Sequence, residues 1–396
     1  KPVKITRGKG IYLYDENDAR YLDAVSSWWV NPHGHSHPEI NKALKHQVEE
    51  LEHCIFADFT HDPAIDISNG LGAILPWKDY KVFFSDNGST AVEVGIKMAI
   101  QAKHNLGKKT DCVIGLKNAY HGDTFGAMSA AGSSDFFAAF EPYTFEVIIL
   151  DLESDDLDSE LKKLEGKNPA CLIYEPLVQG AGGMRMPPIE AYNKALDYCK
   201  KQNIYLVADE VMTGFGRTGT LLASDQLEVK PDIVCISKCL TGGYMPMGLS
   251  IASKSICDAF ASSDPSHTLY HGHSYTANPL ACSVANASLK ITLSEENRQQ
   301  QQMIKDSFSV IAEELKNHPK CKNVRHRGCI IAWEVITDGE DSYQNPIVKQ
   351  IKKMALAEGL LLRPLGNTIY YMPPFVISKE EIDWMYQTTL NILEQL

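Results

Sequence analysis

The sequence predicts an α/β fold: a mostly parallel central sheet flanked by helices, followed by a smaller α+β domain. Three observations carry that expectation. Between residues 81 and 252 short apolar runs alternate with helical stretches, the rhythm of strands joined by crossover helices. One run, Ile233-Val234-Cys235-Ile236, is apolar at every position and bounded by Pro231-Asp232 and Gly242-Gly243, as suits a strand buried on both faces. After Pro279 the texture changes to long helical patterns with isolated short strands.

Taken in order, residues 11–14 and 20–22 read as a hairpin across the polar turn Asp15-Glu16-Asn17-Asp18. Two adjacent tryptophans, Trp28 and Trp29, follow in a Gly/Pro/His-rich loop. Pro38 opens a helix to about Cys54, with Ile40, Leu44, Val48 and Leu51 on one stripe. A second helix follows Asp62-Pro63. Strands are expected at 81–85, 112–116, 147–150, 170–174, 205–208, 233–236 and 249–252, with helices at 91–103, 154–164 and 189–202. Beyond them come helices at 279–292, 295–317, 346–358 and 379–393, and short strands at 330–335, 360–362 and 369–371.

The 396 residues carry a net charge of −12 and no basic run longer than Lys162-Lys163 or Lys352-Lys353. That argues against a nucleic-acid or anionic-membrane partner. No apolar stretch approaches the roughly 20 residues of a membrane span, and no signal peptide is visible. Ten cysteines lie scattered without a C-x-x-C pair, several inside apolar runs. The pattern is that of buried free thiols in a reducing, cytoplasmic compartment rather than a disulfide framework.

Open parallel sheets hold ligands at the C-terminal ends of their strands. Lys238 stands there, just past the run 233–236, among apolar neighbours that favour a neutral amine and Schiff-base chemistry. Taken alone, it reads as a surface lysine. Four further stretches share that edge. In Ser85-Asp86-Asn87-Gly88-Ser89-Thr90, Gly88 lets a ligand approach the backbone, and the amides after it begin a helix that suits phosphate. An ordinary capped Asn-Gly turn is the other reading. Tyr120-His121-Gly122-Asp123 can set an aromatic face against a flat ring, or simply pack a core tyrosine. Asp209, ending YLVAD, can hold the proton of a ring nitrogen. Glu175-Pro176 ends another strand before the glycine loop 179–183, and no nucleotide-binding G-x-G-x-x-G follows the first strand. Together these are a phosphate cradle, a ring face, a pyridinium partner and an amine, the parts that pyridoxal 5′-phosphate needs. His33, His35 and His37 alternate in a loop without a nearby Cys or carboxylate; no metal is expected there.

The stretches SDNGSTAVEVGIKMA, YHGDTFGAMS, YEPLVQGAGGMRMP, ADEVMTGFGRTG, PDIVCISKCLTGG and HGHSYTANPLA resemble the class III (fold type I) pyridoxal-phosphate aminotransferases, over nearly the whole chain. The resemblance implies a large cofactor-binding domain at 26–294 and a small domain built from 1–25 and 295–396. It implies Lys238 as Schiff-base lysine and proton shuttle, Asp209 on the ring nitrogen, Tyr120 stacked on the ring, and Gly88 and Ser89 on the phosphate. It also implies a homodimer with active sites at the interface, where Ser274 of the partner subunit reaches the phosphate. The family more usually has threonine at that position.

Within the family, SSWW, YHGDTFGAMS, VQGAGGMRMP and LRPLGNTIYYMPP are similar to the subgroup that transaminates 8-amino-7-oxononanoate to 7,8-diaminononanoate in biotin synthesis. That likeness implies substrate contacts at Trp28, Trp29, Asp123, Gly272, Arg363 and Tyr370. The tryptophans would wall a long aliphatic chain, Asp123 would face an amine or else cap a helix, and Arg363 with Tyr370 would hold a carboxylate. Ala181 stands where glutamate-using relatives carry a Glu that masks an active-site arginine. The implied amino donor is S-adenosylmethionine, with lysine as the alternative. A class III aminotransferase acting on a diamine or β-amino acid is the nearest rival. A catalytically silent binding module is opposed by Lys238 and Asp209, and a nicotinamide oxidoreductase lacks its fingerprint. Relatives in the subgroup carry a further N-terminal segment over the active site that supplies a tyrosine; Lys1 begins after it.

Overall fold

The structure, a computed structural model, describes residues 2–132, 137–337, 339 and 345–396. Strands β1 (Ile5–Lys9), β2 (Tyr12–Asp15) and β3 (Arg20–Asp23) pair antiparallel in sequence order. The expected hairpin is β2–β3. Its turn closes on Asp15, whose Oδ1 accepts from Asn17 N at 2.8 Å and Ala19 N at 3.0 Å.

Seven strands form the central sheet: β4 (Tyr80–Ser85), β5 (Cys112–Leu116), β6 (Val147–Leu150), β7 (Pro169–Tyr174), β8 (Tyr205–Asp209), β9 (Ile233–Ile236) and β10 (Gly248–Ser253). Their order is β4-β10-β9-β8-β7-β5-β6. From β6 to β9 every pairing is parallel, while β10 runs antiparallel to both β9 and β4. Successive side chains alternate between two apolar layers. Cys171, Ile173, Val207, Ile233 and Cys235 pack with the helix Gly88–Asn105, and Leu172, Tyr174, Leu206, Val234 and Ile236 join the larger core on the other face. At Gly95 a Cβ would lie 2.8 Å from Cys235 Sγ, so the missing side chain lets that helix settle close to the sheet.

Strands β11 (Cys321–Arg327), β12 (Ile330–Val335) and β14 (Thr368–Tyr371) make a separate antiparallel sheet. Strand β13 (Leu360–Leu361) pairs parallel with β3, so the two ends of the chain share a sheet. Among the described residues no helix is long and apolar enough to cross a membrane. All ten cysteines are free, eight of them buried.

Several local expectations need correction. The helix begun by Pro38 stops at Glu50, not Cys54, because Leu51 turns to extended backbone. Its buried stripe holds Ile40 and Gln47, and Val48 is exposed. The charged helix spans Leu157–Lys162 rather than 154–164, starting where the Asp156 side chain accepts from Ser159 N. The helix expected at 91–103 begins already at Gly88, which places Gly88 and Ser89 in its first turn. Strands β1 and β11 were not anticipated; both are polar and largely half-buried or exposed.

Candidate active site

The segments that follow β5, β7 and β9 line a cleft of about 1190 Å³. Lys238, Tyr120, Asp123, Trp28, Trp29 and Arg363 all line it, with Ala181 on the glycine loop. Asp209, the last residue of β8, pairs with Cys235 of the neighbouring β9, and Lys238 opens the short helical turn that follows β9. Lys238 itself adopts φ +45°, a left-handed conformation that costs an L side chain about 1–2 kcal/mol. Burial pushes its ammonium below the ordinary lysine value, and the carboxylates of Asp209 and Glu175 oppose that. Its Nζ stands 4.9 Å from the centre of the Trp29 ring.

Asp209 is buried, and its Oδ2 meets His121 Nδ1 at 2.7 Å while Oδ1 accepts from Val211 N at 3.1 Å. His121 Nε2 is buried without a partner among the described residues. In the sequence His121 is marked by nothing but its place next to Tyr120. Glu175 joins the two loops above the sheet: Oε1 accepts from Tyr120 N and Oε2 from Gly180 N, both at 2.9 Å. Burial pushes its carboxyl up to about 7, with His121 opposing and Asp209 adding.

Asp123 is exposed and its Oδ1 accepts from the Tyr120 hydroxyl at 3.1 Å. The helix after it, Phe125–Ala130, is capped at Thr124 without a side-chain bond, so Asp123 is not a helix cap. Ser89 Oγ accepts from Asp123 N at 3.3 Å, which sets the first turn of Gly88–Asn105 against the cleft loop. The same turn begins with a capping box between Asn87 and Thr90. A Cβ on Gly88 would lie 2.7 Å from Val211 Cγ1, so only glycine lets this helix end abut the end of β8.

The tryptophans sit in an unexpected conformation. Ser26, Ser27, Trp28 and Trp29 all have positive φ: +48°, +49°, +82° and +73°. Left-handed backbone costs about 1–2 kcal/mol per L residue, so four in succession must be held from outside. The Arg363 guanidinium lies 3.4 Å over the half-exposed Trp28 ring. Trp29 is buried, and its Nε1 donates to the Tyr370 hydroxyl at 3.0 Å. Tyr370 is thus packed behind the wall that Trp29 presents.

Gly272 and Ser274 are exposed on the segment before Pro279, outside the lining of this chain's cleft. The far arm of the cleft is polar. It carries three ion pairs no sequence signal pointed to: Lys117–Asp151 at 2.8 Å, Arg185–Glu153 at 2.9 Å and Arg325–Glu334 at 3.2 Å. Of the three loop histidines, His33 and His37 meet edge to face with ring centres 6.2 Å apart, while His35 turns away to Asp23. His33 Nε2 meets Ser288 Oγ at 3.1 Å, His35 Nε2 meets Asp23 Oδ2 at 3.0 Å, and burial pushes His33 down to about 3.

The sequence profile of the family described as Aminotransferase class-III matches residues 1–393. This chain belongs to the class III aminotransferases. The adenosylmethionine-8-amino-7-oxononanoate aminotransferase of Synechococcus elongatus is 42% identical to it over 408 residues, covering 100% of this chain and 96% of the relative. The crystal structure of the protein of that name from Methanocaldococcus jannaschii has a TM-score of 0.95 at 34% identity, covering 100% of this chain and 93% of that one. An amine transaminase from an uncultivated Pseudomonas species, solved in its PLP-bound form, has a TM-score of 0.90 at 29% identity, covering 100% and 95%. The fold is that of the fold type I transaminases.

Class III aminotransferases depend on pyridoxal phosphate, and the residues of this aminotransferase fit that group. The helix N-terminus that Gly88 lets settle against the end of β8 suits the phosphate. A buried carboxylate, already oriented by His121, suits a protonated ring nitrogen. A desolvated amine stands close enough to that carboxylate to feel its charge.

Proposed function

We propose that this aminotransferase places an amine on C7 of 8-amino-7-oxononanoate to give 7,8-diaminononanoate, a step of biotin synthesis. The carrying observation is the turn 26–29, whose two tryptophans face Arg363 at one end and Lys238 at the other. A substrate with a carboxylate, an aliphatic chain and a ketone fits those three features in that order. The similar proteins named above support the same substrate, and their name supports S-adenosylmethionine as the donor.

Gly88, Ser89, Tyr120, Asp209 and Lys238 would hold the cofactor. The bound cofactor supplies an aldehyde for the incoming amine and a sink for the electrons freed at the reacting carbon. Lys238 Nζ, whose ammonium form burial disfavours, takes the proton from the carbon bearing the donor amine and later delivers one to C7. Asp209, fixed by His121, keeps the ring nitrogen protonated. Arg363 pairs with the substrate carboxylate, and the exposed Asp123 offers its charge to the 8-amino group. Glu175 fixes Tyr120 and the glycine loop at their backbone amides, so the walls keep their spacing.

A homodimer completes the proposal. Ile55, Phe59, Tyr270 and Tyr275 are each more than 60% exposed. The rings of His53 and Tyr275 lie tilted against each other with centres 5.6 Å apart, and His61 Nε2 meets Ala277 O at 2.7 Å, so the segments bearing them are packed together. Contiguous exposed apolar side chains mark such interfaces. Ser274 of the partner subunit would reach the phosphate and Gly272 of the partner subunit the substrate. The free thiols suit a reducing cytoplasm.

The test is to incubate the loaded enzyme with 8-amino-7-oxononanoate and S-adenosylmethionine, lysine or glutamate, and follow 7,8-diaminononanoate by mass spectrometry. Turnover with S-adenosylmethionine is expected. Turnover with lysine alone reassigns the donor, and no product with any donor ends the reading.

A further inference from the structure

We propose that Asp23 is a positioning residue that sets the chain length the cleft accepts; this rests on the reading that Arg363 and Lys238 mark the two ends of the substrate. Asp23 does not line the cleft. It ends β3, is fully buried, and gives both carboxylate oxygens to the left-handed turn. Oδ1 accepts from Val25 N at 3.2 Å and Ser27 N at 2.9 Å. Oδ2 accepts from the Ser27 hydroxyl at 2.8 Å and meets His35 Nε2 at 3.0 Å. His35 is itself tied to the hairpin, donating its N–H to Gly10 O at 2.7 Å and accepting from Gly10 N at 3.1 Å.

This arrangement binds a strained segment to a rigid one. The four positive-φ residues 26–29 contain no glycine, asparagine or aspartate to ease that conformation. A carboxylate that gathers the backbone N–H groups of a turn is a strong local constraint. From the other side Ser26 Oγ donates to Met372 O at 2.8 Å and accepts from Arg217 at 2.9 Å. Between those anchors the turn carries Trp28 under Arg363 and Trp29 under Lys238. If the turn relaxes toward right-handed backbone, both rings move together. The length of apolar wall between the two cations then changes, and with it the chain that fits.

The experiment measures binding rather than turnover. Nonanoate and hexanoate, which cannot react, are titrated into the cofactor-loaded enzyme by calorimetry. Three extra methylenes against a formed wall favour nonanoate by about tenfold or more in the wild type. In Asp23→Ala that preference should shrink to about twofold, while Asp23→Asn, which keeps an acceptor for the two N–H groups and a donor for Ser27, should retain most of it. If wild-type enzyme shows no preference, the reading of the cleft ends is wrong. If wild type discriminates and Asp23→Ala discriminates equally, only the present inference is overturned. A purely structural role would lower the melting temperature of Asp23→Ala and leave the ratio alone, which also overturns it. Should Asp23→Ala fail to fold, Ser27→Ala removes a single bond to Asp23; the ratio must then fall, and an unchanged ratio overturns the proposal.

Discussion

Replacing His121 by phenylalanine isolates one hydrogen bond beneath the reacting centre. The ring volume is kept, so the buried site need not collapse. What is lost is the 2.7 Å contact from Nδ1 to Asp209 Oδ2, leaving that carboxylate, among the described residues, with the Val211 N–H. A hydrogen bond to a charged group is worth about 1.5–3 kcal/mol. At about 1.4 kcal/mol per factor of ten, the rate should drop by roughly 10- to 150-fold if the bond orients Asp209 for its work. His121 does not line the cleft, so the KM for the amine donor should stay within about threefold of wild type. Single-turnover kinetics with the donor alone, read from the cofactor absorbance, gives the rate constant of the first half-reaction without the second substrate. A variant that turns over at the wild-type rate would refute the claim that this pair prepares the ring nitrogen's partner.

Three further outcomes follow from the same geometry. Lys238→Ala should abolish transamination while the near-ultraviolet circular dichroism stays native; any retained turnover removes it from the chemistry. Arg363→Ala should raise the KM of the carboxylate-bearing substrate by roughly 10- to 150-fold with little change in kcat, as expected for a lost charged pair; an unchanged KM takes Arg363 out of the pocket. Glu175 is pushed up from its ordinary value of 4.5 to about 7. The folded protein therefore binds more protons than the unfolded chain between those values, and stability falls as pH rises through that window, by about 3 kcal/mol at most. In the cofactor-free protein Glu175→Gln should lack that fall, so its melting temperature should gain on wild type between pH 5 and pH 8. Parallel curves for the two proteins would refute the assignment.

The strands of the central sheet were legible because burial on both faces leaves continuous apolar runs, as at Ile233–Ile236. The edge strands β1 and β11 were not, since ITRGK and CKNVRHR carry no such pattern. The helix after Pro38 was drawn too long because neither glycine nor proline follows Glu50 to signal its end. The reversal of β10 was invisible because an apolar run has no direction. At the site, Lys238, Asp209 and Tyr120 could be picked out by their places after strands. His121 could not, because its role depends on a residue 88 positions away.

Local composition decided which stretches bury themselves, where the turns fall and which residue types stand at strand ends, for these follow from side-chain polarity and backbone freedom of near neighbours alone. Only tertiary structure decided the handedness of Ser26-Ser27-Trp28-Trp29. Nothing in those four side chains favours positive φ, and the conformation persists because Asp23, Arg217 and Met372, brought in from three separate elements, hold it against its own strain.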